Sequence, residues 1–152
     1  MYKNILVPLD GSNTAAFGLS EAIKLAKDQG ATLRLIHVVN ELIITAPNEE
    51  VYELSRFVDS MRETGKTVLK EAESLARDTG ISVDSVLAEA MGSQAGHEIL
   101  QQAKQWPAEL IVMGTHGRRG LRRLVMGSDA EFVVRHMPVP VLLVRARESK
   151  MA

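Results

Sequence analysis

The residues best equipped for chemistry lie in one stretch. Met113-Gly114-Thr115-His116-Gly117-Arg118-Arg119-Gly120 leaves an apolar run and ends, after Leu121 to Met126, in Gly127-Ser128-Asp129-Ala130-Glu131. Its skeleton is Gly114-x2-Gly117-x9-Gly127-Ser128. Glycines let a backbone take positive φ angles and approach a ligand with no Cβ in the way. Amides of a helix starting after Gly127 would point at an anion, with the helix dipole adding about 0.3 to 2 kcal/mol. The Ser128 hydroxyl completes a cradle, so the chemistry is phosphate binding. A plainer reading stands beside it. Ser128-x-x-Glu131 is also a capping box that satisfies orphan amides at a helix start. Arg118, Arg119, Arg122 and Arg123 fit a solvated loop as well as an anion site, and His116 fits either a phosphate contact or a solvent-facing loop position.

Other chemistries find little support. Cysteine is absent, which excludes disulfides, thiolate metal sites and thiol nucleophiles. His37, His97, His116 and His136 do not stand at the spacing of a helical metal pair, so no metal site of protein ligands is expected. There is no Gly-x4-Gly-Lys-Ser/Thr loop and no Gly-x-Ser-x-Gly elbow. A nucleotide hydrolase needs a group that orients water in line with the γ-phosphate. Asp10, Asp129, Glu131 and His116 are the candidates, each with a plainer role, so at most weak ATP hydrolysis is expected. Trp106 reads as a packing residue, and Met113, Met126 and Met137 as core filler.

The elements that would position the glycine stretch follow from apolar periodicity. Strand-length runs alternate with helical segments, the pattern of a parallel sheet covered on both faces. Strands are expected at Ile5 to Val7, Thr32 to Val39, Ile81 to Leu87, Leu110 to Met113 and Val139 to Val144. The first helix is opened by Ser12 or Asn13 and stopped by Gly30; the second begins near Thr45 or Asn48 and ends at Gly80. A third carries Ile99, Leu100 and Ala103, and a fourth begins at Ser128. Gly65, inside the second helix, predicts a bend, at a cost of about 1 kcal/mol against alanine. If the first and fourth strands are neighbours, their carboxyl ends at Asp10 and Gly114 flank the switch point where open α/β sheets bind ligands. Pro138 and Pro140 suit an edge strand, and an apolar edge invites pairing with another chain.

With 152 residues and no linker or repeat, the chain reads as a single domain over 1–152. Lysine plus arginine (18) nearly balance aspartate plus glutamate (19), so neither nucleic acid nor a membrane surface is expected as a partner. No signal peptide or bilayer-length apolar run is visible, which predicts a cytoplasmic protein.

The sequence resembles the universal stress protein family, of the ATP-binding type. Gly114, Gly117, Gly127 and Ser128 match that family's Gly-x2-Gly-x9-Gly-Ser/Thr motif. Ile5-Leu6-Val7-Pro8-Leu9-Asp10-Gly11-Ser12, Leu110 to Gly117 and Val133 to Val141 are similar to its other segments. The resemblance implies an open five-stranded parallel sheet of order 3-2-1-4-5 and a Rossmann-like, adenine nucleotide-binding α/β fold. It implies ATP as ligand, with or without Mg²⁺, and a regulatory role in stress response through nucleotide-dependent interactions. Pro8 and Asp10 would lie against the adenosine, Val38 would meet the adenine through its backbone, and Met113 and Gly114 would line the ribose side. Gly117, Gly127, Ser128 and the Asp129 amide would hold phosphates, with His116 and Arg118 as further phosphate contacts. A homodimer through the fifth strand is implied, with an unknown protein partner as a further possibility; the alternative for that edge is the tail Arg145 to Ala152 folding over it. Alternatives for the function are a slow ATPase, or a dimeric interaction protein of the same fold that binds no nucleotide. Two positions depart from the family pattern. Asp129 replaces a small apolar residue, and a carboxylate there weakens triphosphate binding unless it faces solvent or shares a metal ion. Glu89-Ala90-Met91 replaces a glycine-containing turn.

Overall fold

The computed structural model describes residues 1–41, 48–92, 94–116 and 126–146, with the side chains of 48–50 excepted. Its elements alternate as the apolar pattern requires: β1 (Asn4–Pro8), α1 (Asn13–Gln29), β2 (Thr32–Glu41), α2 (Asn48–Arg77), β3 (Val83–Met91), α3 (Ala95–Gln105), β4 (Leu110–Gly114), α4 (Ser128–His136) and β5 (Val141–Val144). The strands form one five-stranded sheet in the order β3-β2-β1-β4-β5. Every pairing is parallel. The sheet order expected from the resemblance is therefore the observed one.

Alternation along the strands sends side chains to two cores. Ile5, Val7, Leu33, Leu35 and Val112 face α1 and α2, where they meet Leu19, Ala22, Leu69 and Ala76. Leu6, Ile36, Ile111 and Met113 face α3 and α4, where Ile99, Ala103 and Val133 cover them. Both faces of the central strands are buried, which is why those strands read as continuous apolar runs. The caps of α1 are those expected: the Ser12 hydroxyl accepts the Ala15 N–H at 3.1 Å, and Gly30 ends the helix at φ 65°.

Several boundaries differ from the sequence reading, most of all those of the third and fifth strands. The third strand starts at Val83 and continues to Met91, because Leu33 through Glu41 of β2 pair residue by residue with Val83 through Met91. Glu89-Ala90-Met91 is thus strand, and the turn expected there comes later, at Gly92 with φ 68°. The fifth strand starts at Val141: Pro140 has no N–H to donate and contributes only its carbonyl, which accepts the Ile111 N–H at 3.0 Å. Gly65 has a packing role that periodicity does not reveal. A Cβ at that position would stand 2.5 Å from His37 Cδ2, so the glycine lets α2 settle onto β2.

Candidate functional site

Parallel strands deliver their carboxyl ends to one side of the sheet, and the order 3-2-1-4-5 makes the β1/β4 boundary the switch point. Beyond that boundary lies a cleft of about 750 Å³, a size that suits a small organic ligand. Pro8 and Asp10 enter it from the end of β1, Val38 from β2, and Met113, Gly114 and His116 from the end of β4. Gly127, Ser128 and Asp129 enter from the start of α4. Nine of the eleven residues singled out from the sequence line this one cleft; Gly117 and Arg118 lie outside the described residues.

Local geometry explains how each group is held. Asp10 Oδ1 accepts the Ser12 N–H at 2.9 Å, a tight turn that delivers the chain from β1 into α1. Gly11 supports that turn at φ 82°. Gly114 is not at positive φ, and its need for glycine comes from α1: a Cβ would meet Thr14 Cγ2 at 2.8 Å and the Thr14 backbone carbon at 2.9 Å. The ligand-approach rationale for this glycine therefore gives way to helix packing. Gly127 is extended, with φ −63° and ψ 152°. It donates its N–H to the Thr115 carbonyl at 2.9 Å and accepts the Glu131 N–H at 2.9 Å.

The N-cap of α4 is Gly127, with no side chain capping the helix. Ser128 is already the first helical residue, so the capping-box reading fails. Glu131 instead pairs with Arg135 at 2.8 Å. The Ser128, Asp129 and Ala130 amides are thus the orphan donors of a short helix opening onto the cleft. Both Ser128 and Asp129 have exposed side chains. Although exposed, the Asp129 carboxyl is raised above its ordinary range: desolvation by the surrounding walls is the main cause, and the nearby Asp10 carboxylate adds to it. The backbone N–H of Gly96 opposes the rise.

His116 Nδ1 lies 2.8 Å from Thr115 Oγ1, and its buried Nε2 has no hydrogen-bond partner among the described residues. The buried Asn40 Oδ1 likewise has no partner among the described residues. The sequence reading missed Asn40 and the α2 wall of the cleft, formed by Phe57, Ser60, Met61 and Thr64. A signal was present, since Phe57/Met61 and Ser60/Thr64 are both i,i+4 pairs on adjoining helix faces. It was hidden because covering the sheet already explained the apolar period of α2. Among the described residues no group of three or more metal-ligating side chains is found, and no helix is long and apolar enough to cross a membrane.

The profile of the Universal stress protein family matches residues 1–145. The chain belongs to that family. A universal stress protein of Bacillus subtilis (strain 168), YxiE, is 34% identical over 151 residues, covering 95% of this chain and 100% of the relative. Among solved structures, universal stress protein UspA from Lactobacillus plantarum superposes with a TM-score of 0.83 at 27% identity, over 95% of this chain and 98% of the other. The universal stress protein from Archaeoglobus fulgidus, solved in complex with dAMP, shares the fold with a TM-score of 0.65 at 24% identity, over 94% of this chain and 98% of the other.

Proposed function

We propose that this universal stress protein binds an adenine nucleotide in the cleft at the carboxyl ends of β1 and β4. The observation that carries the reading is convergence: residues from three strand ends and the uncapped start of α4 line one cleft at the switch point. The cleft has two chemically different ends. The α4 amides suit phosphate oxygens, whereas Val38, Phe57 and Met61 offer apolar surface and Asn40 a polar group, which suits a base. Pro8, Asp10, Met113 and Gly114 then flank the ribose, and Gly127, Ser128 and the Asp129 amide take the phosphates. The dAMP bound by the Archaeoglobus protein supports adenine as the base within this fold.

The finer reading is ATP, with Mg²⁺, serving a regulatory role in which the bound state alters a surface read by other molecules. Mass spectrometry of any nucleotide that co-purifies with the native protein tests it directly. After nucleotide removal, ligand at 100 times its dissociation constant is expected to stabilise the fold by about 2.7 kcal/mol, or roughly 5 to 10 °C in Tm. No co-purified nucleotide, together with an unchanged Tm in millimolar AMP, ADP and ATP, would refute the reading.

A further inference from the structure

The first turn of α4 is where the cleft offers an anion its best partners, and this chain places a carboxylate in that same turn. Asp129 lines the cleft together with Asp10, and the two lie close enough to oppose each other's ionisation. Among the described residues that line the cleft there are two aspartates and two histidines, His37 and His116, and no lysine or arginine.

We propose that Asp129 is the specificity-determining residue of the cleft, lowering affinity in step with phosphate charge so that adenosine monophosphate is preferred over metal-free adenosine triphosphate. The inference rests on the adenine-nucleotide reading above. Its physics is Coulombic. A side chain in the first turn of α4 lies within a few ångströms of any oxyanion held by the amides of that turn; Asp129 is exposed, but it is exposed on the cleft wall, where an occupying ligand displaces solvent and reduces the screening between them. The raised affinity of Asp129 for its own proton reports the same desolvation and the same neighbouring charge. The repulsion is absent for adenosine, moderate for a monophosphate carrying about −2, and largest for the triphosphate, so the carboxylate offsets more of the amides' attraction as the phosphate charge grows.

The test is calorimetric titration of adenosine, AMP and ATP in EDTA against the nucleotide-free wild type and D129N. The amide is isosteric and keeps an oxygen for the Gly96 N–H, and circular dichroism confirms that the variant is folded. The wild type is expected to bind AMP more tightly than ATP. In D129N the gain is expected to be about tenfold for ATP and about threefold for AMP, with adenosine changed less than twofold. Tighter wild-type binding of ATP than AMP overturns the inference, as does an equal change for all three ligands, no change, or weaker ATP binding in the variant. Binding of none of the three by either protein overturns the nucleotide reading itself, and this inference with it.

Discussion

Gly65 of α2 lies directly against the imidazole of His37 on β2: a Cβ at Gly65 would stand 2.5 Å from Cδ2 and 3.0 Å from Nε2. The ring cannot easily retreat. It is buried, and its Nδ1 lies 2.8 Å from the Leu9 carbonyl oxygen, an acceptor that fixes the Nδ1–H tautomer. Propensity alone says that Gly65→Ala stabilises the helix by about 1 kcal/mol. Overpacking a close contact costs about 1 to 3 kcal/mol, and here the contact is with a ring held by its own hydrogen bond. Gly65→Ala is therefore expected to lower Tm, by up to roughly 8 °C, in differential scanning calorimetry. A rise in Tm would show that α2 can shift freely over β2. Because His37 also lines the cleft, nucleotide affinity should fall in the same variant.

The first turn of α4 separates folding from binding. With Gly127 as N-cap and Ser128 making no cap, Ser128→Ala is expected to change stability by less than about 0.5 kcal/mol. Its predicted effect is on phosphate affinity, through the lost hydroxyl. Gly127→Val should weaken nucleotide binding more, by placing a branched side chain at the mouth of the anion end of the cleft. Denaturation curves and titrations on the same preparations check both. Stability lost in Ser128→Ala without loss of affinity would restore the serine to a capping role.

Arg62 ties the open end of the cleft's α2 wall to the sheet. It contacts Glu41 of β2 at 2.6 Å and Asp59 of its own helix at 2.9 Å, and its Nε donates to Glu89 of β3. The guanidinium holds Glu89 below its usual carboxylate range, chiefly through that hydrogen bond. A depressed carboxyl contributes stability that is present above its unfolded value, near 4.5, and is lost as pH falls through its folded value. Glu89→Gln should thus be less stable than wild type at pH 7, with the difference shrinking as the pH falls below about 4.5. Added salt should shrink it too, because the pair is exposed. Urea melts across pH and ionic strength measure this; a difference constant from pH 7 to 3 would mean that packing, not charge, holds the contact.

Much of this architecture was legible because it rests on period and turn chemistry. Runs such as Ile5 to Val7 and Leu110 to Met113 are buried on both faces, and Ser12 and Gly30 bound α1 where capping rules put them. The convergence of Asp10, Gly114 and Ser128 on one cleft followed from strand order. What sequence could not convey is which neighbour a small residue serves. Gly114 reads as a ligand-facing glycine until Thr14 is seen 2.8 Å from its missing Cβ, and Gly96, unremarked in the sequence, admits Phe132 at 2.6 Å in the same way. These contacts join residues distant in the chain, so no local pattern encodes them. The Ser128-x-x-Glu131 match was local but misleading: a shift of one residue in the helix start moved the cap to Gly127 and released Glu131 to Arg135.

The last expectation concerns the outer border of the sheet. β5 is the terminal strand in the order β3-β2-β1-β4-β5, and it pairs with β4 along Val141 to Val144. Leu142 is 39% exposed there, in a strand whose every residue is apolar. An open apolar edge is a template for strand addition, and a two-fold axis would pair two such edges antiparallel and close after two chains. A homodimer through β5 is therefore expected at micromolar concentration, with Leu142→Lys dissociating it by placing two like charges beside the axis. The competing arrangement covers the edge with the C-terminal tail, whose residues 147–152 lie outside the described ones. Multi-angle light scattering on wild type, Leu142→Lys and a chain truncated after Ala146 distinguishes them. A wild-type monomer, or a dimer indifferent to Leu142→Lys, rules out β5 pairing, and a truncated chain that dimerises where the full chain does not assigns the edge to the tail.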